Sequence, residues 1–110
     1  MKLYYVYILK CSDNSYYIGI TNNVDQRVAQ HNEGYDHQSY TYTRRPVELV
    51  YSEMFTEVLQ AIAREKQIKK WSRIKKEALI KERWEQLNGL AACNNESTHQ
   101  NYNPPEEKAR

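Results

Sequence analysis

Residues Tyr4–Thr21 read YYVYILKCSDNSYYIGIT, and this stretch decides the fold class of the chain. Tyr4–Lys10 is rich in β-branched and aromatic residues and has no helical period, which is typical of a strand. Cys11–Ser15 is a cluster of turn-forming residues, and Tyr16–Thr21 has the composition of a second strand. The sequence therefore predicts a β-hairpin at residues 4–21.

Side chains of a strand alternate between the two faces of the sheet, so the hairpin residues divide into two sets. We expect the aliphatic set to share an apolar face, and the more polar set to carry any functional groups. The aliphatic set is Val6, Ile8, Ile18 and Ile20, and the more polar set is Tyr5, Tyr7, Tyr17, Gly19 and Thr21.

The first helix is predicted directly after the hairpin. Asn22 is the expected N-cap, with Asp25 at the capping-box position. The helix should run to about Asn32 and end near Gly34, since glycine commonly terminates helices. A polar loop is expected at residues 34–45.

The second half of the chain predicts one strand and three helices. Val47–Met54 has strand composition, and Thr56 is expected to cap a long helix at 57–70. The order ββαβααα, without βαβ crossovers, predicts an α+β fold with a small three-stranded antiparallel sheet flanked by helices. The last two helices are expected at about 73–82 and around Trp84, Leu87, Leu90 and Ala91.

Length and composition predict a single domain followed by a polar tail. The chain has 110 residues and a net charge of +2, and only three of its last 18 residues are apolar. So few apolar side chains cannot offset the entropy lost on ordering. We therefore expect one folded domain at residues 1–92 and a disordered tail at 93–110.

The sequence also argues against several classes of protein. It contains no apolar run of the ~18–20 residues that a membrane span needs, and no convincing signal peptide. Cys11 and Cys93 lack the Cys-x-x-Cys spacing of metal and redox sites. We therefore expect a cytoplasmic protein with free thiols and no membrane partner.

Arg27 and His31 are the first candidates for chemistry. They are four residues apart on the predicted first helix and therefore share a face. Arginine suits a bidentate contact with phosphate, and histidine suits proton transfer near neutral pH. Ordinary surface charges are the alternative interpretation.

Glu65 is a third candidate because of its position around the helix. It lies ~20° from Val58, inside the apolar stripe that Ala61, Ile62 and Ile68 continue. A carboxylate that faces the core is costly unless it has a partner. That partner is either an arginine in an ion pair or a metal ion.

Residues 64–76 form a basic block, with seven basic groups and one acidic group. Five of these cations recur at helical spacing, so we expect them to flank the helix of Glu65 and to bind the phosphates of a nucleic acid. A solvated helix face is the alternative. The five cations are Lys66, Lys69, Lys70, Arg73 and Lys76.

Taken in order, these residues resemble the GIY-YIG nuclease superfamily. Tyr5-Val6-Tyr7 stands where the family name has Gly-Ile-Tyr, and Tyr17-Ile18-Gly19 matches the Tyr-Ile-Gly of the name residue for residue. Arg27, His31 and Glu65 then follow in the family's order. The resemblance covers roughly residues 1–90 and indicates the small single-domain bacterial branch, similar to the incision domain of the bacterial excision-repair nuclease and to the Slx-type nucleases.

The resemblance implies a metal-dependent endonuclease that hydrolyses phosphodiester bonds in DNA, in repair or recombination. A domain of about 90 ordered residues offers little surface for reading a base sequence, so we expect structure-selective or weakly specific cleavage. It implies that Glu65 holds one Mg²⁺ or Mn²⁺ ion, and that Tyr7 and Tyr17 orient or deprotonate the attacking water. A phenol ordinarily has a pKa of ~10, and positive charge from Arg27 and the cation is expected to favour the phenolate. His31 would assist proton transfer.

Two departures from the family pattern keep other functions open. Asn88 does not match the spacing of the family's late asparagine, and no basic residue directly follows Gly19. A catalytically silent nucleic-acid-binding module of the same fold is the alternative function, and a protein-interaction domain with a charged helix is a third. A protein partner is a further expectation for the enzyme.

Overall fold

The structure is a computed structural model, and it describes residues 2–87. It divides into two compact units, Met1–Lys70, which contains the sheet, and a second unit that begins at Trp71. A 3₁₀ turn occupies Tyr42–Arg44. The strands and helices are β1 (Tyr4–Lys10), β2 (Tyr16–Thr21), α1 (Val24–Glu33), β3 (Glu48–Phe55), α2 (Val58–Lys69) and α3 (Arg73–Leu87).

β1 is the central strand of a three-stranded antiparallel sheet with the order β2-β1-β3. The predicted hairpin is confirmed, and both of its strands have the predicted bounds. Asn14 reverses the chain with a φ of 70°, in the left-handed region that asparagine tolerates. Tyr7 lies opposite Gly19 on β2 and opposite Ser52 on β3. The predicted α+β class is therefore confirmed.

The second face of the hairpin is buried, so the expectation of a polar face there is wrong. Tyr7 and Leu9 form a core cluster with Cys11 and Val47, and Val28 of α1 packs against it. The central strand has a neighbouring strand on each side, and α1 covers this face. The side chains of residues 6–9 in the middle of β1 are therefore removed from water on both faces of the sheet.

The aliphatic face packs as predicted, with Val6, Ile8 and Ile18 buried. The Nε atom of Arg64 on α2 donates a 3.0 Å hydrogen bond to Glu53 on β3. Glu53 lies opposite Val6 in the register and shares its face. This contact places α2 over the aliphatic face, on the other side of the sheet from α1.

The first helix begins one residue later than predicted. Its N-cap is Asn23, whose side chain accepts a 3.0 Å hydrogen bond from the backbone N–H of Gln26. The Thr21 hydroxyl accepts from the N–H of Asn23 and thereby ends β2, which leaves Asn22 in the bend between strand and helix. Gly34 ends the helix at a φ of 72°, as its position predicts.

The later helices also differ from the predictions. α2 begins after Glu57 rather than Thr56, and no side-chain hydrogen bond caps it. Trp84 and Leu87 belong to α3, so the separate final helix predicted around them is wrong. No glycine or proline interrupts residues 73–87, and the helix simply continues.

Several predictions fall on residues outside the described range, namely those for Asn88, Leu90, Ala91, Cys93, the end of the domain at residue 92 and the tail at 93–110. Across residues 2–87, the helices are too short or too polar to cross a membrane.

Candidate active site

Tyr7 brings a hydroxyl group from the central strand to the edge of a cleft. Its side chain is 1% exposed, and its Oη lies 3.1 Å from Nε2 of His31. The ring passes over Gly19, where a Cβ atom would be 2.6 Å from the hydroxyl and 2.8 Å from Cζ. Since real Cβ atoms essentially never approach so closely, only glycine at position 19 allows Tyr7 to reach His31.

Tyr17 stands beside this pair on β2. Its ring centroid is 6.3 Å from that of Tyr7 and 5.1 Å from that of His31, which it meets edge-on. Tyr40 from the loop after α1 stacks against Tyr17, with ring planes 22° apart and centroids 6.2 Å apart. The Tyr17 ring is therefore held between His31 and Tyr40.

Helix α1 supplies Arg27 and His31 from one face, as their spacing predicts. The positive charge of Arg27 acts on both Tyr7 and His31, and it favours a lower pKa in each. Burial, and secondly the positive charge of Arg27, lower the pKa of His31 below its ordinary value. His31 is therefore a neutral imidazole at pH 7.

These side chains open onto a cleft of about 460 Å³. Its walls combine residues of β2 and α1 with residues of the polar loop, so basic, aromatic and hydroxyl groups and the carboxylate of Asp36 face one space. The lining residues are Tyr17, Arg27, Gln30, His31, Tyr35, Asp36, Ser39 and Thr41.

The Tyr7 hydroxyl is a protonated phenol at neutral pH. Burial raises the pKa of Tyr7 to about 12, and the charges of Tyr17 and Glu65 act in the same direction. Arg27 acts to lower this pKa, in the direction that the sequence predicts, but burial has the larger effect. In this structure Tyr7 is therefore a neutral phenol rather than a base.

Glu65 lies on α2 with 18% of its side chain exposed. Ala61 and Ile68 on the same stripe are buried, whereas Val58 is 40% exposed, so the apolar stripe is shorter than predicted. The carboxylate pairs with Lys69 at 3.1 Å, one turn further along the helix, and not with an arginine. The negative charge of Glu65 makes a small contribution to the raised pKa of Tyr7, so Glu65 lies within electrostatic reach of the cleft.

The chemistry around Glu65 fits a hard cation that keeps most of its water. Within residues 2–87, no group of three or more His, Cys, Asp or Glu side chains could enclose a metal ion. A single carboxylate suits Mg²⁺ or Mn²⁺, because such ions retain water and bind substrate phosphates. It does not suit a caged Ca²⁺ or a thiolate-bound Zn²⁺.

The basic block does not lie on one helix, so that expectation is wrong. Lys66 and Lys69 belong to α2, which ends at Lys69, and Lys70 is the C-cap. The Lys70 N–H donates to the carbonyl of Gln67 at 3.2 Å, which tightens the last turn. The other two cations, Arg73 and Lys76, belong to α3 in the second compact unit.

The loop at residues 34–45 contributes site residues that the sequence did not predict. Thr41 is 1% exposed, and its Oγ1 lies 2.7 Å from Nδ1 of His31. Arg44 places its guanidinium 3.8 Å from the Tyr40 ring and its Nε 3.0 Å from Asp13 in the hairpin turn. A polar loop has no periodic pattern, so nothing in its sequence indicates which of its residues turn inward.

Comparison with known proteins defines the class of this chain. Residues 3–78 match the GIY-YIG catalytic domain, so the chain belongs to the GIY-YIG family, a nuclease superfamily. The order of Tyr7, Tyr17, Arg27, His31 and Glu65 along the chain is consistent with that match.

Within this class the chain is similar to the UPF0213 proteins. It is 53% identical over 83 residues to the UPF0213 protein of Staphylococcus haemolyticus, with 76% of this chain and all of that protein covered. The UPF0213 protein of Staphylococcus aureus strain Mu3 is 49% identical over 83 residues, with the same shares covered.

A solved structure supports the fold. The solution NMR structure of a protein from E. faecalis has a TM-score of 0.53 and 36% sequence identity to this chain. The match covers 74% of this chain and 85% of that one.

Proposed function

We propose that this chain is a metal-dependent endonuclease that hydrolyses phosphodiester bonds in DNA. One observation carries the proposal. Tyr17, Arg27 and His31 line a single cleft, and the hydroxyl of Tyr7 is hydrogen-bonded to His31 at its edge. A cationic donor, a neutral imidazole and two phenols around one space are the groups that phosphodiester hydrolysis needs.

Arg27 is proposed to bind the scissile phosphate. A guanidinium donates two parallel hydrogen bonds to phosphate oxygens and keeps its charge at any physiological pH. As negative charge grows on those oxygens in the transition state, the same hydrogen bonds strengthen and lower the barrier. The cleft of about 460 Å³ leaves room for a phosphodiester beside Arg27.

The two tyrosines have different environments and are given different roles. Tyr7 is buried, is hydrogen-bonded to His31 and has a pKa of about 12, so it is proposed to position the imidazole. Tyr17 lines the cleft and is proposed to orient the attacking water or to take its proton. His31, neutral at pH 7, is proposed to assist proton transfer through its hydrogen bond with the Tyr7 hydroxyl.

Glu65 is proposed to hold one Mg²⁺ or Mn²⁺ ion, which when bound supplies Lewis-acid stabilisation of the phosphate's developing charge. The carboxylate must then exchange its ion pair with Lys69 for the cation. Lys69 is 53% exposed at its side chain and can turn to solvent or to a DNA phosphate.

DNA is the proposed substrate, with the basic block as a source of phosphate contacts. Lysine and arginine side chains that neutralise phosphates bind without regard to sequence. A small domain of this size buries little base surface, which favours structure-selective or weakly specific cleavage. The proposed contacts are Lys66, Lys69, Lys70, Arg73 and Lys76.

The decisive experiment compares Glu65→Gln with the unchanged chain on branched, nicked and flapped DNA in Mg²⁺ and Mn²⁺. We expect Glu65→Gln to slow cleavage by about 100- to 1000-fold, the usual loss when one electrostatic stabiliser is removed. Glu77→Gln is the matched control, because Glu77 sits in a similar i,i+4 pair with Arg73 on α3. Equal cleavage by Glu65→Gln, or no cleavage of any substrate, would contradict the proposal.

A silent DNA-binding module is the second candidate function. Two observations favour it: Glu65 already pairs with Lys69, and Tyr7 is protonated at neutral pH. This candidate predicts salt-dependent DNA binding that requires no divalent cation, with no cleavage under any condition. The same set of substrates, assayed for both binding and cleavage, separates the two functions.

A further inference from the structure

Thr41 is a buried polar residue next to the proposed machinery. Its side chain is 1% exposed, and its Oγ1 lies 2.7 Å from Nδ1 of His31 and 3.0 Å from Oγ of Ser39. A buried hydroxyl is stable only when its hydrogen bonds are made. Thr41 therefore belongs to a chain of hydrogen bonds that runs from Ser39 through His31 to Tyr7.

The loop holds Thr41 in place from the hairpin side. The backbone carbonyl of Arg44 accepts a 2.9 Å hydrogen bond from the N–H of Ser12, and the Nε of the Arg44 side chain donates to Asp13 at 3.0 Å. Its Nη1 also donates to the carbonyl of Tyr40, directly before Thr41, at 2.8 Å. These contacts fasten the loop to the hairpin turn, so Thr41 approaches His31 from a fixed backbone.

The burial of the Tyr7 hydroxyl determines where the imidazole proton lies. Tyr7 is 1% exposed, so its O–H cannot turn to water, and a buried O–H donor without an acceptor is costly. The phenol is protonated, and within the described residues the hydrogen-bond partner of its hydroxyl is Nε2 of His31. Nε2 must therefore accept the Tyr7 proton, and Nδ1 must carry the hydrogen of the neutral ring and donate it to Thr41.

We propose that Thr41 is a positioning residue that holds His31 in the Nδ1–H tautomer, with the lone pair of Nε2 directed at the Tyr7 hydroxyl. The Thr41 oxygen accepts from Nδ1–H, and the Thr41 hydroxyl donates in turn to Ser39. The position and the tautomer of the imidazole are thus set by a loop residue that acts through His31. The consequence for rate rests on the proposed function, whereas the tautomer itself does not.

The tautomer is measured directly by long-range ¹⁵N–¹H correlation NMR of the histidine rings at pH 7.5, with His31 assigned from the signal lost in His31→Asn. We expect Nδ1 of His31 to give a protonated, pyrrole-type signal and Nε2 an unprotonated, pyridine-type signal. The opposite pattern, or an equal mixture of the two tautomers, overturns the proposal.

Three variants test whether Thr41 is the cause. Thr41→Val keeps the side-chain shape but removes the hydroxyl, so we expect the Nδ1–H preference to disappear. Thr41→Ser keeps the hydroxyl and should restore it. Thr43→Val makes the same change at an exposed neighbour and should leave the spectrum unchanged. An unchanged His31 spectrum in Thr41→Val overturns the role of Thr41.

A second readout concerns rate. We expect Thr41→Val to lower the rate of cleavage about tenfold at unchanged DNA affinity, the equivalent of one ordinary hydrogen bond, and Thr41→Ser to recover it. Should Thr41→Val not fold, Thr41→Ala makes the same test without a buried methyl group facing the imidazole. If the chain cleaves no DNA, the proposed function fails, while the NMR spectra still decide the tautomer.

Discussion

In the cleft, Tyr7, His31 and Thr41 come from three separate parts of the chain and are joined by hydrogen bonds of 2.7 to 3.1 Å. The cations of residues 64–76 come from one continuous stretch. Among them, Lys69 and Arg73 pair with acidic residues of their own helices. The two regions therefore differ in what holds them: tertiary contacts position the cleft, whereas local sequence alone concentrates the charge.

This difference has a consequence for mutation. A buried group such as the Tyr7 hydroxyl depends on its neighbours to within tenths of an ångström, because a packed interior does not yield easily. An exposed lysine makes loose, screened contacts that one substitution changes only slightly. Substitutions in the cleft should therefore have large and specific effects on stability and cleavage. Substitutions in the basic block should have small and additive effects on DNA binding.

The largest effect is expected from Gly19→Ala. The added methyl group would meet the Tyr7 hydroxyl at 2.6 Å and force the ring away from His31. We expect a loss of stability of about 1–3 kcal/mol from overpacking, and about 100-fold slower cleavage from the displaced hydroxyl. Urea denaturation and single-turnover cleavage measure the two effects.

Gly34→Ala is the matched control for that experiment. Gly34 has a φ of 72°, so alanine there costs about 1–2 kcal/mol of backbone strain, and its methyl group would press on Arg45 and Tyr42 rather than on Tyr7. We expect the two variants to be destabilised by comparable amounts, and only Gly19→Ala to cleave slowly. Equal cleavage rates in both variants would contradict the close fit of Tyr7 over Gly19.

A moderate effect is expected from neutralising the basic block. Lys66→Gln and Lys70→Gln should each weaken DNA binding equally for all sequences and reduce the slope of log K against log salt by about 0.9. Arg73→Gln and Lys76→Gln test whether the cations of α3 contribute to DNA binding and its salt dependence in the same way. Fluorescence anisotropy across salt concentrations measures the slope, with Lys81→Gln, an exposed residue outside the block, as control. Unchanged slopes in all four variants would remove the block from the DNA interface.

The smallest effect is a pH dependence of stability from His31. Because burial lowers the pKa of folded His31, the unfolded chain takes up the proton first as the pH falls below about 6.5. Stability from this residue is therefore present above that pH and is lost as the pH falls toward the folded pKa. Urea denaturation at pH 7.5 and 5.5 should show a smaller pH dependence in His31→Gln than in the exposed control His37→Gln. An identical dependence in both variants would contradict the burial of His31.

The sequence predicted local structure more accurately than packing. The strands of the hairpin have the predicted bounds because alternation and turn residues act over a few positions. The N-cap is Asn23 rather than Asn22 because the hydroxyl of Thr21 accepts a hydrogen bond from the N–H of Asn23. Only the Tyr-rich face of β1 differs from the prediction, because such a face is consistent with either water or a covering helix.

By itself, the sequence determined the α+β class, the family and the candidate residues, since strand composition, helix spacing and motif order are properties of the chain. Only the tertiary structure decided that Tyr7 is buried and protonated, that Gly19 makes room for it, and that Thr41 contacts His31. The physical reason is that pKa values and tautomers depend on burial and on hydrogen bonds between groups distant in sequence. Those neighbours are fixed only when α1 and the loop close over the sheet.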